Sequence, residues 1–169
     1  MKQTYKKYML IVAILAVGGC IGSFVSQYVL GLIPCPLCIF QRVAIIATAV
    51  VAIIGLGFRL WSPIPKFINS VLVSVPSLFG LLVALRHIHL QSLPPSEVPE
   101  CGPGLNFMIK NLPFSEMLSK VLLGSGECAE VEKVMFLPIP WWSAMLFSAI
   151  LFITWYAFFR SKREHPFGY

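Results

Sequence analysis

Charge is what this chain has least of. Only 12% of its 169 residues are charged, about half the share of roughly 25% found in an average soluble domain. With 57% hydrophobic residues, that shortage excludes a water-soluble globule, and it excludes disorder as well. The sequence has no internal repeat and no low-complexity tract. It also has no visible haem, flavin or nicotinamide motif. The apolar run after Lys2, Lys6 and Lys7 exceeds the roughly 7–15 residues of a signal-peptide core, and no small-x-small site follows it. It therefore reads as a retained first helix.

What charge there is lies in informative places. The net charge of +6 comes from 13 Lys+Arg against 7 acidic residues. The basic residues flank apolar blocks, so they read as contacts to membrane lipid head groups and not to nucleic acid. The uncharged blocks are Met9–Leu30, Val43–Phe58, Phe67–Leu85 and Val134–Phe159. They place spans at about 9–30, 41–58, 67–85 and 139–159. At 1.5 Å per residue the first is about 33 Å long, enough for a bilayer core. The second is short unless Ile39 and Phe40 extend it past Arg42. Lys2, Lys6, Lys7, Arg59, Lys66, Arg160, Lys162 and Arg163 fall on one side, which the positive-inside rule makes cytoplasmic. Segments 31–40 and 86–138 then lie outside. The whole chain is read as one membrane domain.

The long outer segment is broken by Pro94, Pro95, Pro99, Pro103, Pro113 and several glycines, which argues against a regular packed domain. Its apolar residues, from Phe107 to Leu123, suit either a short helix on the membrane surface or a collapsed loop. Trp61, Trp141, Trp142 and Trp155 lie near span ends, where an interfacial aromatic belt accounts for them.

Chemistry is concentrated in the cysteines. Of Cys20, Cys35, Cys38, Cys101 and Cys128, all but Cys20 fall on the outer side, where disulfides are the first reading. A Cys35–Cys38 bridge closes too short a loop to stabilise by much more than roughly 2 kcal/mol. A C-x-x-C at a helix start is better explained by reactivity, because the helix N-terminus favours a thiolate. Arg42 lies one turn beyond Cys38, on the same face. A cation near membrane depth needs an anionic or polar partner, such as a thiolate or the carbonyl of an electron acceptor; the plainer alternative is an interface anchor. A Cys101–Cys128 bridge, 26 residues between its ends, gains about 3.5 kcal/mol by loop closure. Its glycine-rich flanks expose it to exchange with another protein's thiol. Zinc usually takes two closely spaced pairs, and His87 and His89 do not share a helix face, so no metal site is expected. Cys20 reads as a small buried hydrophobe.

These features together resemble the disulfide-bond formation protein B (DsbB) family of bacterial inner membranes. The resemblance runs nearly the full length. It is carried by Cys35-Pro-Leu-Cys38-Ile39-Phe40-Gln41-Arg42, by Gly124-Ser125-Gly126-Glu127-Cys128-Ala129-Glu130 and by Ile139-Pro140-Trp141-Trp142. It implies an all-α membrane protein, a four-transmembrane-helix bundle with a long periplasmic loop between helices 3 and 4. It also implies a quinone-dependent thiol oxidoreductase that oxidises a periplasmic thioredoxin-fold thiol oxidase of the DsbA type and passes electrons to ubiquinone or menaquinone. Residue by residue, Cys101 would be attacked by the partner, and Cys128 would attack Cys35 or resolve the partner. Cys38 would face the quinone, with Arg42 polarising the ring carbonyl and His87 at a quinone-site position. His87 also suits a plain polar residue at the membrane boundary. Pro34 and Pro36, on either side of Cys35, restrict the loop.

Such a route must run against a strong oxidant. A DsbA-type dithiol sits near −120 mV and an ordinary structural disulfide below about −300 mV, a gap of about 8 kcal/mol for two electrons. A downstream acceptor has to supply it. Two rival readings remain at this point: a specialised paralogue serving one dedicated thiol oxidase, and a non-enzymatic scaffold with structural disulfides. The orientation is tested separately. Topology reporters fused within 59–66 and at Gly124 are expected on opposite sides of the membrane, and a common location removes the four-span arrangement.

Overall fold

A computed structural model of the chain describes residues 4–57, 63–94, 96, 113, 115–116, 119, 128–129, 131, 133–134 and 136–163. Four long helices dominate it: α1 (Thr4–Tyr28), α2 (Pro36–Gly57), α3 (Pro63–Gln91) and α4 (Ile139–Arg163). All four are long and apolar enough to cross a membrane. The expected Phe107–Leu123 cluster, Trp61 and Cys101 lie outside the described residues.

The helices overrun the spans expected from charge. The first starts at Thr4 instead of 9, the second at Pro36 instead of 41, and the third runs from Pro63 to Gln91 instead of 67–85. Charged residues mark where the apolar run ends, whereas a helix ends where its backbone hydrogen bonding is interrupted. Lys6 and Lys7 are helical and exposed. Two consequences follow for the outer segments: Cys38 lies in the first turn of α2, and His87 lies inside α3. A small departure from all-α structure is an antiparallel ladder of β1 (Lys133–Val134) and β2 (Leu137–Pro138), which leads into α4. There Trp142 Nε1 donates to the Val134 carbonyl at 3.3 Å.

Local chemistry sets the helix ends. Gly31 takes the left-handed φ of 69° that turns the chain out of α1, a conformation costly for residues with a Cβ. Pro36 opens α2, where its missing N–H costs nothing. Pro76 lies inside α3 and leaves the Leu72 carbonyl without its usual amide partner.

Each helix packs on its sequence neighbours, and α4 closes against α1. The core joins Met9, Val12, Ala13 and Ala16 of α1 with Ala44, Ile45, Ala49 and Ala52 of α2, Val73 of α3, and Phe147, Ile150 and Ala157 of α4. Small residues matter because lipid offers no hydrophobic drive between helices, so stability comes from close van der Waals approach. A Cβ on Gly80 would overlap the Phe147 ring, and one on Gly55 would overlap Asn69. Polar pins add direction at the end away from Cys35. Tyr5 Oη donates to the Lys66 carbonyl at 3.1 Å and lies 3.0 Å from Ser70 Oγ. Asn69 Nδ2 donates to Tyr5 Oη at 3.1 Å, and Lys66 Nζ donates to Ser161 Oγ at 2.7 Å. Further along the bundle, Thr48 Oγ1 and Ser77 Oγ, 3.2 Å apart, join α2 to α3.

Gly80→Val is expected to destabilise the bundle by about 1–3 kcal/mol through overpacking. Gly18→Ala, whose Cβ meets nothing within 4 Å, should be neutral or slightly stabilising. Thermal unfolding of the two variants in detergent checks the contrast.

Candidate redox site

The C-x-x-C lies where the α1–α2 turn becomes helix. The Ile39 amide donates to the Cys35 carbonyl at 3.2 Å, and the Cys38 amide donates to Cys35 Sγ at 3.4 Å. Cys35 therefore caps α2 with its own sulfur, while Cys38 rides in the first turn. The two Sγ atoms are 3.2 Å apart, so a small rotation brings them to bonding distance.

His87 reaches this pair from α3. It is buried, with Nε2 3.9 Å from Cys35 Sγ and Nδ1 3.9 Å from Cys38 Sγ. Gln41 Nε2 lies 3.3 Å from Nδ1 and fixes the ring plane. A backbone hydrogen bond joins His87 to Cys128. Cys128 is fully buried and shares an apolar cluster with Cys35, Leu37, Val83 and Leu90. Three of the four expected redox cysteines thus converge around one imidazole, and the fourth, Cys101, lies outside the described residues. Cys20 packs against the main core instead.

On the other side of Cys38 a cleft of about 60 Å³ opens among α1, α2 and α4. Cys38, Gln41, Arg42 and Ser143 form its polar part, and Gly19, Ile45, Ile139, Leu146 and Phe147 its apolar walls. Arg42 does not extend along the helix as an interface anchor would. It turns toward α1, where Nη1 donates to Gln27 Oε1 and Nη2 donates to the Ser23 carbonyl at 2.9 Å. Its guanidinium lies 4.8 Å from the Phe24 ring centroid, within cation–π range. Arg42 Nε and Ser23 Oγ are buried with no hydrogen-bond partner among the described residues. An unused cationic donor and Cys38 thus border one small, largely apolar cleft.

Cys35, Cys38, Arg42, Cys128 and His87 are therefore brought together. His87 stands against the sulfurs, next to Cys38 and Gln41, which both line the cleft. Two supporting residues, Gln27 and Phe24, are not singled out by the sequence, and Gln41 enters there only as a position of the C-x-x-C motif. The two glutamines left a usable signal, since an amide inside an apolar run needs a partner.

The family model for disulfide bond formation protein DsbB matches residues 5–157. The chain belongs to this family. It is 46% identical to a disulfide bond formation protein B from Chromohalobacter salexigens over 132 residues, covering 78% of this chain and 77% of the relative. It is 35% identical to one from Neisseria gonorrhoeae over 162 residues, covering 96% and 100%. It is 38% identical to one from Acinetobacter baylyi over 154 residues, covering 90% of each. Membership in the DsbB family assigns the chain a disulfide oxidoreductase role in disulfide bond formation, on a four-helix membrane fold.

Gln27→Leu removes the acceptor that holds Arg42 Nη1. The expected cost is about 1.5–3 kcal/mol, as for a hydrogen bond to a charged group, read as a lower unfolding temperature. Gln27→Glu should keep or exceed the parent's stability.

Proposed function

We propose that this protein oxidises a thioredoxin-fold thiol oxidase of the DsbA type in the periplasm and delivers the electrons to membrane quinone. The observation that carries this reading is the position of Cys38, which faces a cysteine and an imidazole on one side and the Arg42 cleft on the other. A scaffold with structural disulfides has no use for that arrangement. The chain is taken to lie in the bacterial inner membrane, with its termini cytoplasmic and the cysteine end periplasmic.

The exchange steps balance as follows. A partner thiolate attacks Cys101 of a Cys101–Cys128 bridge, forming a mixed disulfide and releasing Cys128 as thiolate. The partner's second thiolate displaces Cys101 and leaves oxidised. Cys128 then attacks Cys35 of the Cys35–Cys38 bridge, which frees Cys38 as thiolate beside Arg42. Burial of Cys128 and Cys35 in one cluster supports this pairing. Cys101 next displaces Cys35 from Cys128, restoring the outer bridge and leaving Cys35 and Cys38 as a dithiol. His87, against both sulfurs, is suited to hold the proton exchanged as each becomes thiol or thiolate. Arg42 and the cleft walls would hold the quinone, which when bound accepts two electrons and two protons. Ubiquinone and menaquinone both present the carbonyl that Arg42 Nε would meet.

The test is quinone-dependent oxidation of a reduced DsbA-type partner by the purified protein. Arg42→Ala should lower quinone reduction about 10- to 150-fold, the worth of a hydrogen bond to a charged group, and leave partner binding unchanged. Cys38→Ser should accumulate a Cys35–Cys128 bridge, seen by mass spectrometry, and stop turnover. Persistent turnover in Cys38→Ser with only Cys101–Cys128 present refutes this electron route.

A further inference from the structure

The cysteine pair and His87 also form a donor set of the kind that holds a metal ion. Cys35 Sγ, Cys38 Sγ and a ring nitrogen of His87 lie within 4.8 Å of one another. We infer that the dithiol form of this site binds a soft divalent cation of the zinc type through Cys35, Cys38 and His87, and that the bound metal holds the pair reduced. Binding itself needs only the reduced pair. The inhibitory consequence rests on the redox reading above.

The geometry is close to what a tetrahedral ion demands. Zn–S bonds of about 2.3 Å and Zn–N bonds of about 2.0–2.1 Å place sulfur atoms about 3.8 Å apart and sulfur and nitrogen about 3.5 Å apart. The sulfurs stand 3.2 Å apart; Nε2 lies 3.9 Å from Cys35 Sγ, Nδ1 lies 3.9 Å from Cys38 Sγ, and one ring nitrogen lies within 4.8 Å of both sulfurs. Opening the sulfurs by about 0.6 Å and moving the imidazole by up to about 1.3 Å therefore completes three corners of the tetrahedron. Cys38 is only half-buried, which leaves a route for the ion and a fourth position for water.

Charge and donor type point the same way. Two thiolates, a neutral imidazole and a divalent ion sum to zero, the form that an apolar pocket walled by Leu37, Val83 and Leu90 tolerates best. Two sulfurs and one nitrogen select zinc, cadmium or cobalt over magnesium or calcium. Gln41 supplies the usual support for a ligating histidine. Its amide oxygen and nitrogen are interchangeable by a flip, so Oε1 can accept from Nδ1–H and leave the Nε2 lone pair for the metal. On binding, two Zn–S bonds and one Zn–N bond form, and two thiol protons leave to solvent. No electrons move. A Cys35–Cys38 disulfide has no thiolate to offer, so oxidation destroys the site.

Cobalt(II) titration of the full-length protein in detergent tests this, with zinc as competitor. Reduced protein should bind a single cobalt with the intense visible bands of tetrahedral thiolate coordination, and zinc should bleach them. The oxidised protein should show none. The bands should vanish in Cys38→Ser, persist in Cys20→Ala and Cys101→Ser, and shift toward a more thiolate-rich spectrum in His87→Cys. Gln41→Leu should weaken binding about 10- to 100-fold. Absence of these bands in reduced parent protein overturns the inference without recourse to variants, as does their survival in Cys38→Ser with loss in Cys101→Ser. Zinc should also block oxidation of a reduced partner, reversibly by chelator. Metal binding without that block refutes the inhibitory consequence but leaves the site.

Discussion

A polar side chain carried into an apolar helical bundle has no water to turn to, and must find its partner on a neighbouring helix. Few such groups occur among the described residues, and several of them cross-link two helices. Tyr5, Asn69 and Ser70 tie α1 to α3, and Thr48 and Ser77 tie α2 to α3. Arg42 ties α2 to α1 through Gln27 and Ser23, and Gln41 ties α2 to α3 through His87. Apolar surface alone would allow these helices to slide and rotate against one another. The cross-links select one register, and that register carries Cys38 to His87 on one side and to the Arg42 cleft on the other.

The same constraint explains why two neighbouring residues of α2 bond to different helices. Gln41 and Arg42 are about 100° apart on a helix, so they meet different neighbours. Gln41 faces the α3 imidazole, whereas Arg42 faces the polar groups of α1. Cys38 lies one turn above both. Small residues at the helix contacts make this tight geometry possible: Gly19 beside Leu146 of α4 and Gly80 beneath Phe147 bring α4 close enough to wall the cleft.

Thiol–disulfide exchange and metal ligation draw on the same thiolates, so a site suited to one is exposed to the other. The imidazole that would manage protons during exchange also stands where a third metal ligand would. In this arrangement the oxidised pair is protected from metal by its own bond. A chain kept oxidised by a downstream acceptor would be vulnerable only while the dithiol persists.

Much was legible in the sequence because it depends on local or compositional quantities. Charge scarcity and block length set four membrane-length helices, and the C-x-x-C at a helix start, with Arg42 one turn on, marked the pair that the fold sets against His87. These features follow from hydropathy and the 3.6-residue period, which need no knowledge of neighbours. Helix ends were less legible, since charge reports the apolar boundary and not the backbone's hydrogen bonding, and so His87 was placed in a loop when it belongs to α3. Its contact with both sulfurs spans 49 and 52 residues of chain. The Arg42–Gln27 bond and the burial of Cys128 beside Cys35 are likewise long-range. Such pairings depend on which helix faces which and at what rotation, and only the packed bundle decides that.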